Sequence, residues 1–444
     1  MAFKFFGRKK DETLAPDVEP DDEAGLPDEP ADDSDREPEA MADEDSVDRS
    51  WSERAAAVIP GGSSTGSKRP AALYGAGADL GPSHYLRASG CHLVTVSERT
   101  LLDCTMALGS VTLGYGDDAV ARAVITAVAS GHVTGLAHTS EVEVAERLCD
   151  LIPCAEQVRF LKSGAEGVSA AVRLARTVTG RSHVIACGYF GWHDWSHAGP
   201  GVPSVTTDLV SRVQFNDAPA LEQAVRDAGS NLAAVVLEPV VEVLPDAAWI
   251  ARARSLCDAT GAVLIFDEMK TGFRLAAAGF QEYGDVVPDL AVFGKAMANG
   301  FPIAAVVGKR SVMEAADRTW ISSTSAGEAG ALAAVGAVLD RYAEDDVCAT
   351  LWRVGAAMRR SMEQAVQASG ATGIVVAGPD PMWFTRFQDS GLETRFLQRA
   401  AALGVLFKRG PYNFASLAHD DDDVLMEVER VASTALVEVL ESGP

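Results

Sequence analysis

Residues Gly261–Gly308 read GAVLIFDEMKTGFRLAAAGFQEYGDVVPDLAVFGKAMANGFPIAAVVG. The apolar run Val263–Phe266 closes on Asp267-Glu268, and a second run, Leu290–Phe293, closes on Gly294-Lys295. Short apolar runs that end in polar residues and glycine-containing turns are the pattern of buried parallel strands, and ligands gather at the carboxyl ends of such strands. The stretch therefore aims an acid and a lysine into one crevice. The same residues also have plainer readings: a solvated lysine, and an acidic pair that ligates a metal or caps a helix. The rest of the chain has to decide.

Outward from this stretch, strand and helix alternate. A helix over Glu141–Leu151 precedes a strand at Gln157–Leu161, and Lys162-Ser163-Gly164-Ala165-Glu166 then opens a helix running to Val178. A Ser-Gly pair at a strand-to-helix turn offers N–H groups that suit a phosphate, although serine is also an ordinary N-cap. The strand His183–Cys187 runs into Gly188-Tyr189-Phe190-Gly191-Trp192-His193-Asp194-Trp195, four aromatic rings and a histidine that need a core or a flat ligand to cover. The strand Ala233–Leu237 ends in Glu238-Pro239, and a helix over Ala247–Thr260 leads into the opening stretch. This repetition predicts an α/β fold: a mainly parallel sheet flanked by helices, with polar groups at every strand end.

The flanks are less regular. Residues 90–105 alternate as two paired strands about Ser97-Glu98-Arg99, and glycines at 109, 114 and 116 suggest backbone passing close to something. The loop GGSSTGSKRP, with Ser64, Thr65 and Lys68, reads as a linker or as a loop whose hydroxyls and cations reach a ligand. Past Val307 come the hydroxyl-rich run Trp320–Ser325 and an alanine-rich helix; from Val347 onward helices and strands make a smaller α+β domain. The expected division is 1–50 acidic tail, 51–110 N-terminal segment joining the small domain, 111–345 large domain and 346–444 small domain.

Composition narrows the function. A formal charge of −25 argues against a nucleic-acid partner, since phosphate contact needs a basic face. Much of that charge lies in the first fifty residues, whose acidic, aromatic-poor sequence predicts disorder. The opening MAFKFFGRKK lacks the apolar core and cleavage site of a secretory signal, and no apolar run is long enough to span a bilayer. Seven scattered cysteines without a CxxC pair suit a reducing cytoplasm and give no zinc pattern, so no metal is expected.

A lysine that attacks an aldehyde and a carboxylate that keeps a heterocyclic nitrogen protonated are what pyridoxal phosphate chemistry requires. With these residues assembled, the chain from about Trp51 resembles the class III pyridoxal-phosphate aminotransferases, in the branch similar to glutamate-1-semialdehyde 2,1-aminomutase. Asp267–Arg274, DEMKTGFR, resembles that family's DE-x-x-TGFR, and Phe293–Pro302, FGKAMANGFP, its GK-x-x-x-x-G-x-P. The resemblance implies the transferase fold of type I, a homodimer with shared active sites, a small-molecule amino donor and a carbonyl acceptor. It implies that Lys295 carries pyridoxal 5′-phosphate as an internal aldimine and that Asp267 pairs with the pyridine nitrogen. Ser163, Gly164 and Ala165 would bind the phosphate, Tyr189 would stack on the ring, Glu238 and Lys270 would face the cofactor, and Thr324 would reach the phosphate of the neighbouring subunit. Ser64, Thr65, Lys68, Trp192 and His193 are the candidate substrate contacts.

Departures bear on the substrate. Lys162 stands where the family carries Asn, Lys270 where many members carry Gln or Met, and Gly410–Phe414 lacks the acid expected of the aminomutase. PGGSSTGSKRP, GYFGWHDW and ISSTSAGEA look instead like the subgroup that aminates sugars and secondary metabolites. An aminotransferase is the expected activity, with an intramolecular aminomutase or an epimerase as the alternative.

Overall fold

Every residue of Val263–Asp267 and of Leu290–Phe293 is buried, so both faces of these strands are covered and the chain can afford no alternation of polar residues there. The computed structural model describes residues 44–75 and 81–442. The strands are β1 (Tyr85–Ser89), β2 (His92–Thr95), β3 (Thr100–Asp103), β4 (Gln157–Leu161), β5 (His183–Cys187), β6 (Val210–Arg212), β7 (Leu232–Leu237), β8 (Val263–Asp267), β9 (Leu290–Phe293) and β10 (Ala304–Gly308), followed by β11 (Ile374–Ala377), β12 (Met382–Phe387), β13 (Val405–Leu406) and β14 (Asn413–Phe414).

The central sheet has the order β4-β10-β9-β8-β7-β5-β6. From β9 to β6 all neighbours are parallel. Alternate residues feed opposite cores: Leu264 and Phe266 enter one, Val263 and Ile265 the other. The helix Gly164–Thr179 covers the second face with Val168, Ala171, Val172 and Leu174, while Trp249, Ile250 and Ala253 of the helix Ala247–Thr260 cover the first. The seven-stranded sheet with helices on both faces is the α/β architecture that the sequence predicts.

Two features depart from the sequence reading. The strand β10 is antiparallel to both β9 and β4, because residues 294–303 reverse the chain through positive-φ positions at Lys295, Asn299 and Gly300. Folded sequence starts earlier than Trp51: a helix occupies Glu44–Val58, and its buried Asp48 accepts a hydrogen bond from Ser97 Oγ at 2.9 Å. The remainder of the acidic tract, with the basic opening, lies outside the described residues. The glycines at 109 and 114 do pass close to something, as expected: they lie against Phe414 and Ala418.

The second sheet joins the two ends of the chain, with β1, β2 and β3 antiparallel in series and β13 parallel to β3. A third sheet runs β11-β12-β14. No helix among the described residues is long and apolar enough to cross a membrane.

Candidate active site

Three neighbouring parallel strands deliver the site. The strand β7 runs into Glu238, β8 ends at Asp267, and Lys295 follows β9 after Gly294. Asp267 is buried and its Oδ1 accepts the N–H of Met269 at 3.0 Å. Burial, reinforced by the nearby Glu238 charge, pushes its carboxyl up to about 7, against the Met269 N–H, Lys295 and Lys270. At Lys295, burial and then the Lys270 charge pull the amine down to about 8, with Asp267 and Glu238 opposing. An amine placed there gives up its proton far more readily than a surface lysine. Its backbone sits at φ 49°, a left-handed conformation that a non-glycine residue adopts at a cost.

Asn299 fixes that turn by accepting the N–H of Leu113 at 3.1 Å and donating to Gly114 O at 2.9 Å. Lys270 is ion-paired with Glu238 and lies 5.0 Å over the Tyr412 ring. Burial lowers the Lys270 ammonium, but Glu238 and Tyr412 outweigh it and the net shift is upward.

The two acids of Asp267-Glu268 have separate tasks. Glu268 is fully buried and turns away to brace the following loop, accepting from Thr271 Oγ1, from Phe280 N–H at 2.9 Å and from Gln281 N–H at 3.3 Å. That bracing, rather than metal ligation or a helix cap, accounts for the second acid.

Ser163 is the N-cap of the helix Gly164–Thr179, in a capping box with Glu166. The Glu166 carboxylate takes the N–H groups of Lys162 and Ser163 at 2.9 and 3.0 Å, while those of Gly164 and Ala165 belong to the first turn and have no intrahelical acceptor. A Cβ at Gly164 would stand 2.9 Å from Met269 Cε, so the helix start abuts the loop that follows Asp267. Over it folds the aromatic loop. Gly188 and Gly191 have φ 126° and 85°, and a Cβ at either would collide with Glu238 or Ala165. Glu238 accepts the Tyr189 N–H, fixing the backbone of a residue whose ring is 65% exposed.

Other expected site residues are not brought to this cluster. His193 Nδ1 is 2.7 Å from Ser169 Oγ, which also accepts from Trp195 Nε1 at 2.8 Å, and its ring lines a cleft with Arg173 and Arg176. Trp192 stands edge-on to His193 and is 73% exposed. Ser64, Thr65 and Lys68 are exposed on a loop tied to itself, Arg69 donating to Ser63 O and Pro60 O. Thr324 lines a different cavity, about 410 Å³, with His132, His138, Arg159 and Glu328. Beside it Lys162 pairs with Glu328 at 2.8 Å, so this lysine is engaged by an acid. The sequence reading missed Asn299 and Tyr412; the first was visible as a left-handed-tolerant residue before Gly300, the second carried no signal.

A phosphorylated pyridine fits what is present. The buried, upward-shifted Asp267 would be stabilised by a cationic ring N–H, the helix start would supply N–H donors for a dianion, and Lys295 is a readily deprotonated amine within electrostatic reach of both acids. Fold and residues together define a pyridoxal-phosphate enzyme. Residues 74–418 match the family Aminotransferase class-III, and the chain belongs to that family. It is 37% identical over 247 residues to a glutamate-1-semialdehyde 2,1-aminomutase of Methanocaldococcus jannaschii, an alignment covering 51% of this chain and 58% of that one, under two thirds of its length. It is 33% identical over 352 residues to a 2'-deamino-2'-hydroxyneamine transaminase of Streptomyces kanamyceticus, covering 78% and 89% of the two chains. The internal-aldimine structure of the FumI protein of Sphingopyxis sp. superposes with a TM-score of 0.84 at 27% identity, covering 89% and 97%.

Proposed function

We propose that this enzyme is an aminotransferase that moves an amino group from an amino-acid donor to a ketone or aldehyde acceptor, a sugar derivative or other polar metabolite. The observation that carries the reading is the pair at the ends of β8 and β9: a buried acid held above its usual range and a lysine held below its own. Pyridoxal phosphate, when bound, supplies the electron sink for the carbanion at the amino carbon and carries the amino group between half-reactions. Asp267 keeps the ring nitrogen protonated. Lys295 is the attachment point and, once released, takes and returns the proton at its Nζ. Ser163 Oγ with the Gly164 and Ala165 N–H groups holds the phosphate, and Tyr189 shields one ring face. Thr324 serves the site of a second copy in a homodimer. The free thiols of all seven cysteines agree with a cytoplasmic setting.

A polar acceptor is favoured by the likeness to the Streptomyces transaminase and by Lys270, a charged side chain where an apolar one would serve an apolar substrate. The likeness to aminomutases supports the second reading, an intramolecular transfer without a separate donor. One assay separates them: release of a 2-oxo acid with conversion of the cofactor to its amine form, on adding candidate donors, is expected for transamination. Product formed with no donor would decide for the mutase. Lys295→Ala is expected to abolish turnover while leaving the fold intact; near-normal turnover would sink the assignment.

A further inference from the structure

The charges at the strand ends do not balance without Lys270. Glu238 and Asp267 are buried carboxylates at the ends of adjacent strands, the Glu238 charge raises the cost of ionising Asp267, and Lys295 follows the next strand, β9. We propose that Lys270 is a positioning residue for this chemistry: by taking Glu238 as its ion-pair partner, it relieves Lys295 of neutralising the two carboxylates, so that Lys295 stands as a free amine. The inference rests on the functional reading above, in which a ring N–H balances Asp267. Lys270 then balances Glu238, and no acid remains for Lys295 to serve.

The geometry supports this division. The Lys270 ammonium contacts the Glu238 carboxylate directly and is backed by the Tyr412 face at 5.0 Å, while the other Glu238 oxygen holds the Tyr189 N–H. The ion pair thus also fixes the loop carrying the stacking ring. The charged groups acting on Lys295 are Asp267 from β8, Glu238 from β7, and Lys270 and Arg274 from the loop after β8. The helix Ala329–Glu344, packed on the Lys295–Ala298 turn, buries only Ala, Gly, Val and Leu. A neutral residue at 270 would leave Glu238 without its ion-pair partner, so that its charge acts on Lys295 and holds that amine protonated.

The test reads the amine in the apoprotein. Acylation of Lys295 by acetic anhydride across pH, followed by peptide mass mapping, gives its titration midpoint. Lys270→Met is expected to raise the midpoint by about one pH unit, Lys270→Arg to keep it, and Lys270→Met with Glu238→Gln to bring it back. Should Lys270→Met not fold, Glu238→Gln alone reads the same coupling with opposite sign, lowering the midpoint. An unmoved midpoint in the folded variants, or a double variant raised as far as Lys270→Met, overturns the proposal. Borohydride trapping keeps the two levels apart: wild-type protein in which pyridoxal phosphate is not fixed on Lys295 overturns the functional reading instead.

Discussion

Arg274, last residue of the DEMKTGFR motif, is a fully buried guanidinium whose two terminal nitrogens bond carbonyls while its Nε has no hydrogen-bond partner. It donates to Gly109 O at 2.8 Å, Ala415 O at 3.1 Å and Pro381 O at 3.3 Å, and its Cζ lies 4.6 Å over the Phe414 ring. Burial lowers it to about 10, still charged at neutral pH. One side chain thus joins the loop after β8 to the glycine-rich segment and to the C-terminal strands. Replacing it with Met strands three carbonyls in a dry interface, so Arg274→Met is expected to destabilise the protein by about 3 kcal/mol or more in denaturant unfolding. A loss under about 1 kcal/mol would show that the carbonyls find water or other donors. The motif was legible in the sequence, but this clamp was not, because the carbonyls it meets are up to 165 residues away along the chain.

Among the elements, the junction of β3 with the C-terminal helix hangs on His419. It is fully buried; its Nδ1 accepts the Ser416 N–H at 3.2 Å, so the proton sits on Nε2, which donates to Asp103 O at 3.1 Å. Burial pushes the ring down to about 4, from 6.5 in an unfolded chain. Between those values the unfolded chain binds a proton that the native ring refuses. Stability from this residue is therefore complete above about pH 6.5 and is lost as pH falls toward 4, by roughly 3 kcal/mol. His419→Gln should flatten the fall of the urea midpoint across that window; parallel curves for the two proteins would refute the assignment. The strands β5, β7, β8 and β9 were legible because burial on both faces demands nearly unbroken apolar runs. The strand β10 was not assigned, since Pro302–Gly308 carries the composition of a strand and of a loop alike and its direction is set by the preceding turn. The start of the helix at Glu44 was hidden because acidic composition continues across it, and contacts such as that of Asp48 with Ser97 mark it in the structure. At the site, the places of Glu238, Asp267 and Lys295 at strand ends were legible, whereas the contacts of His193 with Ser169 and Trp192 were not, because a loop's aromatic content does not say which neighbour it meets.

At the scale of the whole molecule, the proposed homodimer would complete each site from two chains. Thr324 lies in its own cavity apart from Lys295; Leu136 lines that cavity and Trp320 precedes its lining residue Ile321, and the two are 85% and 82% exposed. Large apolar side chains left in water next to a polar cavity mark a face for another protein, and a second copy would cover them while carrying its Thr324 to the first copy's phosphate site. A hybrid experiment tests this arrangement. Lys295→Ala protein lacks the amine, and Thr324→Val protein binds phosphate poorly, so each homodimer is impaired in both sites. In a mixed dimer with shared sites, one site collects both defects, while the other combines an intact Lys295 with an intact Thr324. Mixing the two variants under conditions of subunit exchange is therefore expected to restore cofactor loading and turnover to up to half of the sites in each hybrid. If each chain instead completes its own site, mixing yields only the average of the two parents, and that result would remove Thr324 from the partner's phosphate.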